Sequence, residues 1–129
     1  MGFLKTWQPQ LLSIFRIVVA LLFLQHGMAK LLHFPHVPMF DGIQIMSMMG
    51  VAGIIELVGG VLLLIGLFSN IAAFILSGEM AVAYFMVHAP QGFYPILNQG
   101  EGAVFYCFAF LYLAAAGPGP WSVDSARGG

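Results

Sequence analysis

Long apolar segments are the feature that most constrains how this chain can fold. Each is close to the ~17–25 residues that a helix needs to cross a bilayer. They cover about residues 11–32, 47–67, 71–87 and 101–116. Only 7% of the 129 residues are charged and the mean hydropathy is +0.95, more apolar than a soluble domain of this length can hide. The sequence therefore predicts one all-α domain over residues 1–129, an antiparallel bundle of four transmembrane helices.

The placement of aromatic and basic residues predicts the orientation of this bundle. An even number of spans puts both termini on one side of the membrane, and Trp7 and Trp121 flank the first and last spans as interfacial anchors do. Lys30 alone is basic on the opposite side, against three basic residues on the terminal side: Lys5, Arg16 and Arg127. By the positive-inside rule we expect cytoplasmic termini.

The run "VAGIIELVGG" (51–60) places a carboxylate inside an apolar span. Gly53 and Gly60 stand three residues before and four residues after Glu56, so a neighbouring helix can approach on that face and meet the carboxyl group. A rise of ~1.5 Å per residue puts Glu79 of the third span at nearly the same depth. Ionisable groups at this depth are costly and usually mark function, so we predict that Glu56 and Glu79 face each other inside the bundle.

Basic residues on the first span are the expected partners of these carboxylates. Spacings of seven and four residues put Arg16, His26 and Lys30 on one face, which we expect to point inward. Arg16 is then the deep cation between Glu56 and Glu79, and His26 and Lys30 approach Glu101 at the start of the fourth span. One cation for two carboxylates predicts that one carboxyl group keeps its proton and can relay protons or hold a quinone-like carbonyl.

A purely structural interpretation remains open, in which the charged residues of the spans are clamps that fix the register of the helices. Three further polar residues are weaker candidates for a ligand site. Gln25 and Asn98 can simply satisfy backbone groups near the membrane interface. His88 follows Glu79 by nine positions, which places the two on opposite sides of a continuous helix. His88 then belongs to the loop or faces a different neighbour, and the pattern favours a surface position.

Metal and haem sites have little support in this sequence. His26 and His88 both fall toward the outer ends of their helices, so a bis-histidine b-type haem is conceivable, but two histidines are weak evidence without a shaped pocket. The loop spacing His33-x-x-His36 followed by Asp41 could bind a transition metal, although the prolines within it favour a rigid turn. We therefore expect no metal centre. A net charge of −1 gives no reason to expect a nucleic-acid partner.

Three stretches together resemble the DoxX family of small bacterial membrane proteins, and the resemblance covers about residues 14–125. They are "RIVVALLFLQHGMAKLLHFP", "GIIELVGGVLLLIGLFSNIAAFILSGEMAVAYFMVHAPQGFYPILNQGE" and "AGPGPWSVD". The most specific parts are the His-Gly before Lys30, the Glu-Leu-x-Gly-Gly around Glu56, Glu79, the "HAPQGF" loop, and the Gly-Pro-Gly followed by Ser-x-Asp.

The resemblance implies a four-helix protein of the bacterial inner membrane. The family is named after a subunit of a membrane thiosulfate:quinone oxidoreductase, and some members are linked to superoxide dismutase and sulfurtransferase partners in oxidative-stress defence. The motif positions of the family correspond to six candidate polar-core residues of this chain: Arg16, His26, Lys30, Glu56, Glu79 and Glu101. The resemblance implies no catalytic role for any of them.

The cysteine content restricts any redox role of the chain itself. Cys107 is the single cysteine, so there is no dithiol pair and no cluster motif. A redox centre would have to come from a bound quinone, a haem or a partner subunit.

Three functions follow as hypotheses. The first is an accessory subunit of a membrane redox complex that holds a quinone-type molecule among the helices. The second is a small-solute or proton carrier or channel, which would need a homo-oligomer to provide enough helices. The third is a membrane scaffold whose partners are lipids and whose charges only pin the helices.

Overall fold

A computed structural model describes residues 2–34, 36–38, 42 and 46–128, and over these residues the chain is helical without β-strands. The α-helices are α1 (Gly2–Thr6), α2 (Gln8–Leu31), α3 (Met48–Ile65), α4 (Ser69–Ala83), α5 (Pro95–Asn98), α6 (Glu101–Ala116) and α7 (Val123–Ala126). A π-helical turn, Tyr84–His88, and a 3₁₀ turn, Ala89–Gln91, continue α4 without a break.

Three helical segments are long and apolar enough to cross a bilayer. They are Gln8–Leu31, Met48–Ile65 and Ser69–Gln91. The helix α6 is apolar but has 16 residues, which gives it a length of ~24 Å against a hydrocarbon core of ~30 Å. The predicted all-α fold is therefore confirmed for the described residues. The helix α6 has the predicted bounds, but it is too short to be counted with the three long segments.

Most observed helix boundaries lie within three residues of the predicted ones, and local chemistry explains the differences. The helix α2 begins at Gln8, because Pro9 in its first turn removes an amide that has no helical partner there. The helix α3 ends at Ile65, because the next residue, Gly66, adopts φ +75°, a left-handed conformation that closes a helix. The link to α4 is therefore Gly66 to Phe68, and Ser69 already belongs to α4.

The helices pack as two close pairs. Contacts are most extensive between α2 and α3 and between α4 and α6, α3 packs less extensively on α4, and α2 approaches α6 only slightly. Gly27 and Gly53 make the first pair possible. A Cβ at Gly27 would lie 2.7 Å from the backbone nitrogen of Leu57, and one at Gly53 would lie 3.1 Å from Cβ of Lys30. The small residues therefore bring α2 and α3 together at the level of Lys30.

A small apolar core holds the two pairs together, while the outward faces remain apolar. Phe23, Leu63, Leu76 and Phe110 are fully buried at the centre. Large side chains in the middle of the helices are nevertheless exposed, among them Phe74 of α4. An apolar outer surface of this extent fits a hydrocarbon solvent rather than water.

Both chain ends meet at the same end of the bundle, as the even number of spans predicts. The backbone N–H of Trp121 donates to Oγ of Ser13, and that hydroxyl donates to the carbonyl of Pro118. The segment after α6 therefore folds back over the first turns of α2.

Candidate functional site

A buried ion pair joins α2 to α3. Nζ of Lys30 donates to both carboxylate oxygens of Glu56, at 3.0 Å to Oε1 and 2.8 Å to Oε2. Only 1% of the Glu56 side chain and 11% of the Lys30 side chain is exposed. Gly53 lies against Lys30, and Gly60 lies against Leu24, which confirms that Glu56 is directed at a neighbouring helix by the small residues around it.

Glu79 brings a second carboxyl group to this ion pair from α4. It lies close enough to Glu56 for a hydrogen bond between the two carboxyl groups, and it also senses the charge of Lys30. The predicted proximity of Glu56 and Glu79 is confirmed. Oε1 of Glu79 is buried without a hydrogen-bond partner in the part of the chain that the structure describes. We call Lys30, Glu56 and Glu79 the charged cluster.

The charged cluster contains more carboxyl groups than its cation can neutralise. With both carboxyls ionised, one ammonium group would leave a net charge of −1, and two carboxylates in contact repel each other. A proton bound between Glu56 and Glu79 relieves that repulsion and turns one of them into a hydrogen-bond donor. The cluster can therefore hold or release a proton, or bind an uncharged acceptor such as a carbonyl group.

Arg16 is not part of this cluster, which corrects the prediction that it lies between the two carboxylates. It is buried at the other end of α2, where its guanidinium donates to backbone carbonyls of Pro118 and Trp121, the latter at 2.8 Å, and reaches Leu64 at 3.5 Å. A planar guanidinium with five donors suits several carbonyl acceptors better than an ammonium group does. Arg16 therefore binds the segment that follows α6.

His26 lies at the edge of the inward face rather than on it, so its predicted inward position is wrong. The residue is exposed, and its ring contacts Phe23 and Tyr106, with centroids 5.8 and 5.9 Å away. The rotation of α2 about its axis explains this position. Gly27, the residue after His26, packs closely against α3, and His26 therefore lies beside α6. His26 still senses the charges of Glu56 and Lys30 behind it.

Aromatic rings line the narrow contact between α2 and α6. Phe23 packs edge-on against Phe110 at 4.9 Å, and Tyr106 stacks on Phe110 at 5.8 Å with an interplanar angle of 18°. His26 and Tyr106 form the outer part of this group. We call these residues the aromatic seam. Its exposed member His26 lies near enough to the charged cluster to sense the charges of Glu56 and Lys30.

The C-terminal segment forms an ordered cap on the N-terminus of α4. Asp124 accepts hydrogen bonds from the backbone N–H groups of Phe68 and Ser69, both at 2.9 Å, at the N-terminus of α4. Partial burial raises the pKa of Asp124, but the bonds from Ser69 and Phe68, aided by the charge of Arg127, outweigh it and hold the pKa below its ordinary value. The Ser-x-Asp motif contains the signal for this cap, since Ser122 caps α7 and Asp124 follows it.

His88 and Asn98 are joined in one polar network at the opposite end of the bundle. Nδ1 of His88 lies 3.0 Å from the Asn98 carbonyl, and the His88 ring stacks on Tyr84. Asn98 is fully buried. Its side-chain N–H groups donate to the Tyr84 hydroxyl at 3.2 Å and to the Gly92 carbonyl at 2.5 Å. Its side-chain oxygen accepts from the Gly100 N–H at 2.8 Å. Asn98 thus satisfies backbone groups as predicted, but the predicted surface position of His88 is wrong, because the π-helical turn directs the half-buried ring toward α5.

The two remaining candidates lie away from the charged cluster. Nε2 of Gln25 donates to the Leu22 carbonyl of its own helix at 3.3 Å, which is the backbone role predicted for it. Glu101 is exposed and lines a groove on the outer face of α6. Among the described residues no contact joins Glu101 to Lys30, so the expected approach of these two side chains is not found.

The described residues contain no cluster of three or more His, Cys, Asp or Glu side chains arranged for a metal ion. His26 and His88 contact different groups, Phe23 and Tyr106 in one case and Tyr84 and Asn98 in the other. These contacts give no support to a shared haem. The metal site considered for His33-x-x-His36 includes Asp41, which lies outside the described residues.

Comparison with known proteins places this arrangement in a family. A protein of Haemophilus influenzae described as uncharacterised is 47% identical over 130 residues, which cover 97% of this chain and 96% of that protein. No solved structure matches the chain. Residues 11–89, which carry Arg16 and the charged cluster, match the DoxX family. The chain belongs to the DoxX family of membrane proteins.

Proposed function

We propose that this protein is an accessory subunit of a quinone-linked redox complex in the bacterial inner membrane, and that the charged cluster is its ligand and proton site. The observation that carries the proposal is the buried oxygen of Glu79, which has no partner in the described structure although it lies beside a complete ion pair. Buried polar atoms without partners are uncommon, and they often belong to functional sites.

A purely structural role would not need Glu79. The Lys30–Glu56 pair neutralises its own charges and is enough to join α2 to α3. A third ionisable group adds a desolvation cost and repulsion within the bundle. That cost supports a role for Glu79 in holding a proton or a ligand.

The aromatic seam supports a flat, lipid-soluble ligand. Its outer members, His26 and Tyr106, lie where α2 and α6 approach only slightly, so a molecule dissolved in the bilayer could reach them from the side. A quinone, when bound, supplies two-electron and two-proton redox chemistry. His26 and Lys30 would donate hydrogen bonds to its carbonyl oxygens, and Glu79 would hold the exchangeable proton. Electrons would come from a partner oxidoreductase subunit.

The proposal includes α6 as the fourth span and cytoplasmic termini. The helix α6 packs along α4, so it shares the direction of the membrane-crossing segments despite its 16 residues. The excess of basic residues at the end that carries both termini supports the cytoplasmic side.

The test is the quinone content of protein released gently from its own membranes and purified in parallel variants. We expect the wild-type protein to retain quinone, measured by solvent extraction and chromatography per mole of protein. Glu79→Gln should lower that content about tenfold, since one charge-assisted hydrogen bond is worth ~1.5 kcal/mol or more. Glu101→Gln makes the same chemical change outside the charged cluster and should leave the content unchanged.

Two outcomes would contradict the proposal. One is a wild-type protein without quinone, and the other is equal loss in Glu79→Gln and Glu101→Gln. Reconstitution in liposomes with a pH-sensitive dye then separates the remaining functions. Proton flux that depends on Glu79 in the absence of quinone would indicate a carrier, and no flux would indicate a scaffold.

A further inference from the structure

We propose that the groove between α5 and the outer face of α6 binds a phospholipid with a primary amine headgroup, whose ammonium pairs with Glu101. The groove has a volume of about 500 Å³, and none of its lining residues belongs to the charged cluster. Its lining residues are Tyr94, Pro95, Ile96, Glu101, Val104, Phe105 and Phe108.

The α6 wall of the groove has the polarity profile of one lipid. Glu101, Val104, Phe105 and Phe108 recur at intervals of three and four residues and therefore form one stripe on the helix. Glu101 is the first residue of α6, and the apolar members of the stripe follow over the next ~10 Å. A charged group thus lies at the helix end, where lipid headgroups are found, and apolar side chains lie at the depth of the acyl chains.

Charge complementarity selects the headgroup. Glu101 is the one charged residue among the lining residues, and over the described part of the chain it has no ion-pair or hydrogen-bond partner. A carboxylate beside an otherwise apolar groove attracts a cation and repels a lipid with net negative charge. A primary ammonium can also donate hydrogen bonds to the carboxylate, whereas a quaternary ammonium has no N–H group to donate.

The opposite wall of the groove is held in place before any lipid binds. Asn98 at the end of α5 is fully buried and bonds to Tyr84, Gly92 and Gly100. Gly100 lies so close to the Tyr84 ring that a Cβ there would be 2.7 Å from it. A preformed groove loses less conformational entropy on binding than a mobile loop would. This wall gives the Asn98 network a role, since it fixes one side of a lipid site.

The experiment is a lipid competition read by native mass spectrometry on the full-length protein. The probes are phosphatidylethanolamine, phosphatidylcholine and phosphatidylglycerol with identical acyl chains, added in equal amounts. We expect phosphatidylethanolamine to exceed each of the others about threefold, the ratio typical of one partly exposed ion pair. Glu101→Gln should bring the ratio to about one, while Glu101→Asp, which keeps the carboxylate, should preserve the preference.

A matched pair of aromatic variants tests the groove itself. Phe105→Ala should lower the occupancy of all three lipids, whereas Phe74→Ala removes a similarly exposed ring outside the groove and should not. A preference that survives in Glu101→Gln, or equal effects of the two alanine variants, would overturn the proposal. So would equal binding of the three lipids to the wild-type protein, the result expected if a basic partner helix occupies the groove instead. The quinone content of Glu101→Gln is measured separately, so the two proposals can fail independently.

Discussion

The two buried cations of α2 meet opposite kinds of partner. At one end, Arg16 donates to the carbonyls of the segment that follows α6, groups that carry no charge. At the other end, Lys30 pairs with Glu56, and Glu79 adds a second carboxyl group with one oxygen left without a partner in the described structure. Both cations are buried or nearly so, and both join distant parts of the chain.

The difference separates a cation whose acceptors are uncharged from one that lies beside an excess carboxyl group. Each site also has one buried atom without a partner among the described residues, Nε of Arg16 and Oε1 of Glu79. The hydrogen bonds around Arg16 hold two chain segments together, and the site has no exchangeable proton other than those of the guanidinium. The charged cluster has one carboxyl group more than its cation neutralises, so its proton content can change. The role of a buried cation in this fold can therefore be inferred only from the groups that it contacts. Substitutions at Lys30, Arg16 and Asp124 test this difference, in order of decreasing expected effect.

Removing the cation of the charged cluster should cost the most stability. Lys30→Met leaves Glu56 buried without its cation, and we expect the free energy of unfolding to fall by about 3 kcal/mol. The double variant Lys30→Met/Glu56→Met removes both charges and should recover most of that loss, since an apolar pair needs no neutralisation. Equilibrium unfolding in detergent measures both. A single variant as stable as the wild type would show that the pair is not desolvated.

Removing the cation at the other end should cost less, because its partners are uncharged. Arg16→Met leaves two or three carbonyls without donors, and we expect a loss of about 2 kcal/mol. It should also free the C-terminal segment, so limited proteolysis after α6 should become faster while the quinone content stays at the wild-type level. Lys5→Met, at an exposed position outside the C-terminal segment, is the control. Loss of quinone in Arg16→Met without loss of fold would contradict the separation of the two sites.

The C-terminal cap should show the smallest effect and a defined pH dependence. Asp124→Asn replaces one of the two acceptor oxygens by an NH2 donor, so the cap loses one hydrogen bond, and this should cost about 1 kcal/mol at pH 7. The pKa of Asp124 is lower in the folded than in the unfolded chain, so its stabilisation is complete above the unfolded pKa of about 4. It is lost as the pH falls through the lower folded value. The melting temperatures of wild type and variant should therefore converge on acidification, and a constant gap would exclude this origin.

Periodicity and spacing were enough to predict an all-α fold with long apolar helices and the meeting of two carboxyl groups. The helical rise put Glu56 and Glu79 at one depth, and Gly53 and Gly60 directed Glu56 toward another helix, as observed. Those features depend on positions along a helix axis, which the sequence fixes once the helix is recognised. The all-α class follows in the same way from the length of the apolar segments.

The partner of each charge could not be predicted, because it depends on how the helices rotate about their axes. A shared face allowed Arg16, His26 and Lys30 alike to point inward, yet His26 lies at the edge and Arg16 bonds to a chain segment about 100 residues away. The deciding contact is the close approach at Gly27, where a Cβ would collide with the backbone of α3. That contact selects Lys30 as the cation for Glu56.

The sequence by itself thus determined the helices, their apolar outer surface and the depth of the buried carboxyl groups, because each is a local property of length, composition or helical rise. Only the tertiary structure decided that Lys30 neutralises Glu56, that Glu79 keeps an oxygen without a partner among the described residues, and that Asp124 caps α4. These contacts join residues far apart in the chain, and they are set by the close packing of helices at glycines and by hydrogen bonds between segments.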